Sequence, residues 1–200
     1  MSATERKEWV DVLKFLGIYA IYIGHYGEAA GRLYLFVFAF HVQLFFFAGG
    51  FFFRQPKTKE LKIFIIKNVN RLLVPYFIFS FIVIFINALY YNYSYLYIKE
   101  LLYLTLLGRR GSVPASALWF LTCYFTVIVI YGLLGMIFRK KWLLFLVCYI
   151  LYAFHGQILV MFNVEPLSLI FNLDSAINYL VFFATGNCLF EFLDKINLNL

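Results

Sequence analysis

The sequence predicts an all-α fold, a polytopic transmembrane helix bundle, and three observations carry that prediction. Hydrophobic residues make up 64% of the 200 positions and charged residues 14%, with a mean hydropathy of +0.84. Soluble domains run at about 45–50% apolar and about 25% charged, and a chain of this size has no interior large enough to hide the excess from water. The apolar residues also come in continuous runs, such as 72–91, rather than the roughly ten-residue alternating segments of a membrane barrel. Finally, the runs recur to the end of the chain, which excludes a signal peptide ahead of a polar mature domain.

Six runs approach the ~20 residues that cross the hydrocarbon layer. The first span is expected over 9–27 and is interrupted by Asp11, Lys14 and His25. The second, 33–53, is rich in phenylalanine and carries Ala48-Gly-Gly50, small residues that let backbones approach. A stretch over 54–71 with six basic residues and one acid reads as a loop. It leads into the third span, 72–91, whose first turn accommodates Pro75. Within 92–117, residues 93–107 are apolar except for Lys99 and Glu100 and predict an interfacial helix. Gly108-Arg-Arg-Gly-Ser-Val-Pro114 then forms a polar turn. The fourth span, 118–138, begins beside Trp119. The fifth, 142–163, holds His155-Gly156, which marks a local break or close packing, and the sixth covers 176–193. No repeat or low-complexity linker divides the chain, so residues 1–200 are expected to form one domain.

The net charge of +7 reports topology rather than nucleic-acid binding. With the N-terminus inside, twelve Lys and Arg fall in internal segments and four (Arg32, Lys99, Arg109, Arg110) in external ones. The positive-inside rule therefore puts both termini in the cytoplasm of a multi-pass protein of the cell (plasma or inner) membrane. Cys123, Cys148 and Cys188 all lie in apolar runs and match no metal spacing, so they read as buried small hydrophobes. No metal is expected.

An ionisable residue inside a membrane helix costs roughly 2.5–3.5 kcal/mol at its centre and marks a candidate functional site. Lys14 and His25 are eleven positions apart. Eleven steps leave a rotation of roughly 20° after three turns and a rise of about 16 Å, so the two share one helix face. Asp11 falls roughly 40–60° from that face.

Several positions together give the chain a resemblance to membrane acyltransferase family 3, the integral-membrane O-acyltransferases that modify glycans. They are Asp11-Val-Leu-Lys14 followed ten residues later by His25, His41-Val-Gln-Leu-Phe-Phe-Phe-Ala-Gly-Gly50, Arg71-Leu-Leu-Val-Pro-Tyr76, Leu118-Trp-Phe-Leu121, and Asn172-Leu-Asp-Ser-Ala followed by Phe182-Phe-Ala-Thr-Gly186. Three positions depart from the family pattern: Lys14 replaces an arginine, Gly49 a serine and Asn68 an arginine. Family members usually carry more than six spans, so beside the resemblance an incomplete N-terminal part, a truncated gene product and a reduced variant all stay open.

The resemblance implies an O-acetyltransferase that takes acetyl-CoA as donor and esterifies a sugar hydroxyl of a cell-surface polysaccharide or its lipid-linked precursor. It implies that His25 is the general base, a role suited to an imidazole at neutral pH. His41 is a second catalytic histidine or a purely structural hydrogen-bonding group. Lys14, with Asp11, and Arg71 are candidates for the donor's phosphates. Snorkelling of Lys14, its pairing with Asp11, and attraction of the basic stretch to anionic lipid remain open beside that role. Trp119 and Ser112 are candidates for the acceptor, although an interfacial anchor is the favoured reading of Trp119. The expected partners are acetyl-CoA, the glycan acceptor and membrane lipids, with association of two copies left open. A glycan or small-molecule transporter and an inactive truncated acyltransferase are the alternative readings.

Overall fold

The computed structural model describes residues 7–111, 114–163 and 169–197, and these are helical or in short connections, with no strand among them. Four stretches are long and apolar enough to cross a membrane: Arg32–Phe51, Thr58–Tyr91, Trp119–Ile137 and Ile170–Ile196. Lys141–Ala153 and His155–Met161, bent by 59°, supply a fifth if they act as one span. The multi-pass class stands, with fewer such spans than the expected six. The missing one is the first helix, α1 (Glu8–His25), where Glu8, Asp11 and Lys14 interrupt the apolar run. The chain divides into two compact units, Met1–Arg54 with Val181–Leu200, and Gln55–Leu180.

In the first unit α1 packs on α2 (Arg32–Phe38) and α3 (His41–Phe51). Its buried residues are Val10, Gly17, Ala20 and Gly24, which helical periodicity gathers into one stripe. The stripe is small because aromatic rings lie against it. A Cβ at Gly17 would stand 3.0 Å from the Phe45 ring, and one at Gly24 would stand 3.0 Å from Phe38. The expected second span is broken at Ala39 and Phe40, between α2 and α3. The C-terminal part of α10 (Leu173–Asn197) completes this unit. Gly50 and Gly186 bring it against α3: a Cβ on Gly50 would collide with the Phe183 carbonyl, and one on Gly186 with that of Phe47. Asn187 Nδ2 donates to the Gly50 carbonyl at 3.0 Å. Val10, Ala48 and Phe51 form the core beneath Trp9, Phe190 and Leu193. At its edge Asp194 pairs with Lys7 Nζ at 3.2 Å and accepts from Trp9 Nε1 at 3.4 Å.

In the second unit the basic stretch is mostly helical rather than a loop. It runs through α4 (Leu61–Asn68) and a π-helical turn, Val69–Leu73, into α5 (Val74–Tyr91). Pro75 explains the wide turn. It has no N–H for the carbonyl four residues earlier, and its ring crowds that carbonyl, so the backbone opens locally instead of breaking. The expected interfacial helix forms as α6 (Tyr95–Leu107), capped by Ser94 Oγ, which accepts from the Tyr97 N–H, and ended by Gly108 at φ 63°. Tyr76, Ile84 and Leu101 make a core between α5 and α6, where the Tyr76 hydroxyl donates to the Thr105 carbonyl at 3.1 Å. The remaining elements are α7 (Trp119–Ile137), α8 (Lys141–Ala153), α9 (His155–Met161) and the start of α10. Gln55 Nε2 donates to the Gly132 carbonyl on α7 at 2.7 Å.

Candidate active site

The sequence-predicted residues divide between the two units. Asp11, Lys14, His25 and His41 belong to the first; Arg71 and Trp119 belong to the second. Ser112 lies outside the described residues.

In the first unit α1 is unbroken from Glu8 to His25, so the shared face expected for Lys14 and His25 is realised as one edge of a regular helix. That edge flanks the buried Gly17–Ala20–Gly24 stripe, and both side chains are exposed within the unit. Lys14 Nζ lies 5.7 Å from the centroid of the Phe52 ring, a cation–π distance. Asp11 is half-buried one turn earlier. His25 closes the helix.

His41 is the first residue of α3, just past the break, rather than a mid-helix residue. Its Nδ1 lies 2.8 Å from the Val37 carbonyl. A carbonyl only accepts, so Nδ1 carries the proton, and in the neutral ring Nε2 holds the free lone pair. The Phe38 ring packs edge-on against His41 at 4.8 Å, and the same ring lies against Gly24, the residue before His25. One aromatic ring therefore touches His41 and the turn that carries His25.

In the second unit Arg71 is exposed within the π-helical turn that packs on α7. Exposed Lys57, Lys59, Lys62 and Lys67 precede it along the chain. Trp119 opens α7 and is half-buried. The guanidinium of Arg110 lies over its ring at 3.9 Å, and the ring centroid of Tyr179 on α10 stands 6.0 Å from it.

Beside this aromatic group is a buried polar network that sequence reasoning missed. Asn172 is fully buried. Its Nδ2 donates to the Gly108 carbonyl at 2.9 Å and to Thr122 Oγ1 at 2.6 Å. Thr126 Oγ1 reaches the Phe171 carbonyl at 2.8 Å. Phe171 and Asn172 have φ of 51° and 54°, a conformation costly for a bulky residue, and these bonds hold it. His155 Nε2, at the α8–α9 bend, lies 2.8 Å from the Asp174 carbonyl on α10 and so donates to it. A Cβ at Gly156 would meet nothing within 4 Å, so of the two expectations there the break holds and close packing does not. Asp174 is 2% exposed. Its Oδ1 accepts from the Ser175 N–H at 2.8 Å, and its Oδ2 is buried without a hydrogen-bond partner among the described residues. The one signal for it in sequence was an acid next to an apolar run, which the resemblance had marked only as part of a motif.

The family model for an acyltransferase domain, acyltransferase family 3, matches residues 7–199. Neither the curated proteins nor the solved structures contain a match to the chain.

Proposed function

This chain belongs to membrane acyltransferase family 3, and from that premise we propose that it is an integral-membrane O-acetyltransferase. It draws acetyl-CoA from the cytoplasm and esterifies a sugar hydroxyl of a surface polysaccharide or its lipid-linked precursor, in the cell membrane. The observation that carries the reading is the unbroken helix α1, with an ammonium and an imidazole on one exposed edge about 16 Å apart along the axis. That span is of the order of an extended pantetheine arm. In the first unit Lys14, and in the second the exposed cations ending at Arg71, each offer charge suited to the donor's phosphates.

The step needs one base. His25 takes the proton of the acceptor hydroxyl as its oxygen attacks the thioester carbonyl. The C–O bond forms, the C–S bond breaks, and the imidazolium returns its proton to the departing thiolate. His41, whose Nδ1–H is committed to Val37, keeps Nε2 in the accepting state and orients the acceptor hydroxyl or the His25 ring. Trp119, in the second unit, offers an aromatic face of the kind that stacks on a sugar ring.

Transfer of labelled acetyl groups from acetyl-CoA to polysaccharide, measured in membranes containing the full chain, tests the reading. His25→Ala is expected to lower transfer by about 10²–10⁴-fold, the usual contribution of a general base. Equal transfer by wild type and His25→Ala would remove His25 from the mechanism. Absence of any acetyl transfer by the wild type would remove the reaction.

A further inference from the structure

We propose that Arg110, Trp119 and Tyr179 form a subsite for a sugar that carries a negative charge, either a ring carboxylate or a glycosyl phosphate. The inference rests on the acyltransferase reading, because it names the acceptor class that reading leaves open. The three residues come from three places in the second unit: the turn after α6, the start of α7 and the first turns of α10. They nevertheless make one constellation. The Arg110 guanidinium stacks on Trp119 at 3.9 Å. The Trp119 and Tyr179 rings stand 6.0 Å apart with planes inclined by 32°.

The chemistry of the group selects its ligand. Stacking fixes the guanidinium plane, and its N–H groups form the fork that matches a carboxylate or phosphate bidentately. Arg110 is itself exposed, so the fork is open to solvent. Aromatic faces accept the apolar face of a sugar ring. An anion anchor beside an aromatic wall therefore suits a charged sugar better than a neutral sugar or a bare anion.

One further observation points the same way. Arg109 and Arg110 are among the four basic residues on the side expected to face outward, where topology disfavours them, and Arg110 lies over an aromatic ring.

Calorimetric titration of the full chain in lipid nanodiscs tests the proposal with four probes: glucuronate, glucose 1-phosphate, glucose and inorganic phosphate. The charged sugars are expected to bind at least tenfold more tightly than either glucose or phosphate, with affinity that falls as salt rises. Arg110→Gln abolishes the preference over glucose, and Trp119→Ala abolishes the preference over phosphate. Arg110→Lys, which keeps the charge but not the fork, retains part of the first preference and guards against a misfolded Gln variant. Stronger binding of glucuronate identifies a uronate unit as the source of the charge; stronger binding of glucose 1-phosphate identifies a lipid-linked precursor. Binding of glucose as tight as that of the charged sugars, or of phosphate as tight as that of glucose 1-phosphate, overturns the subsite. His25→Ala is expected to bind the charged sugars like wild type while losing acetyl transfer. Loss of the subsite and loss of the acyl-transfer mechanism are therefore read separately.

Discussion

Gly186 and Gly156 are both helical glycines, and substitution at each has the opposite consequence. At Gly186 a methyl group would occupy the place of the Phe47 carbonyl, and backbone on both sides leaves nothing flexible to yield. Gly186→Ala is therefore expected to destabilise the first unit by about 3 kcal/mol, the upper end of the overpacking range. At Gly156 a methyl group meets open space, so Gly156→Ala is expected to be neutral or to gain up to ~1 kcal/mol from reduced backbone freedom in the unfolded chain. Thermal unfolding of the two variants in detergent checks the pair, and equal melting temperatures would contradict the close approach at Gly186. Both glycines were visible in the sequence; what distinguishes them was not, because it depends on a helix more than a hundred positions away. Asn172 is a similar case. Its bonds to Thr122 and Gly108 span 50 and 64 positions, so nothing local marks it as the residue on which the turn before α10 rests. His41, by contrast, was legible as a candidate, and the structure adds which nitrogen holds its proton.

Pro75 acts on a whole element. The expectation that it begins a helix was right in position and incomplete in kind, because the chain is already helical before it and absorbs the proline by opening a π-helical turn over Val69–Leu73. Such a turn holds one more residue than an α-turn. Closing it would rotate everything before it by about 100° relative to α5. Arg71 lies in that turn, so the direction in which it faces is set by Pro75. Pro75→Ala relieves the helix of a proline, worth up to ~3 kcal/mol in a helix interior, and lets the turn tighten. The expected outcome is an unchanged or higher melting temperature together with a KM for acetyl-CoA raised severalfold at nearly constant kcat. A variant that melts lower with an unchanged KM would separate the wide turn from donor binding. The break in the second span at Ala39 and Phe40 escaped sequence reading for a related reason: neither residue is a helix breaker, and the interruption shows only in the backbone and in the bond from His41 to Val37.

Across the whole molecule, composition was enough to establish a multi-pass helical protein, since 64% apolar residues leave lipid as the only solvent that fits. The number of spans was harder to read because charge and apolarity compete within α1, where Glu8, Asp11 and Lys14 share eighteen residues with an apolar run. The expected sidedness rests on the lysines and arginines, and two exposed lysines make it testable. Lys57 precedes α4 in the basic stretch expected inside, and Lys99 lies on α6 in the stretch expected outside; both are exposed. Lys99→Cys is expected to react with a membrane-impermeant maleimide in intact cells, and Lys57→Cys only after permeabilisation. The native thiols give a low background, since Cys123 and Cys148 are buried and Cys188 is half-buried. The reverse pattern would invert the chain in the membrane. It would turn Lys14 away from the cytoplasmic donor, put Arg110 and Trp119 inside, and overturn the transfer path from acetyl-CoA to an external sugar. Labelling of both positions in intact cells would mean that an even number of crossings separates Lys57 from Lys99, and α5 would then have to return within the bilayer rather than cross it.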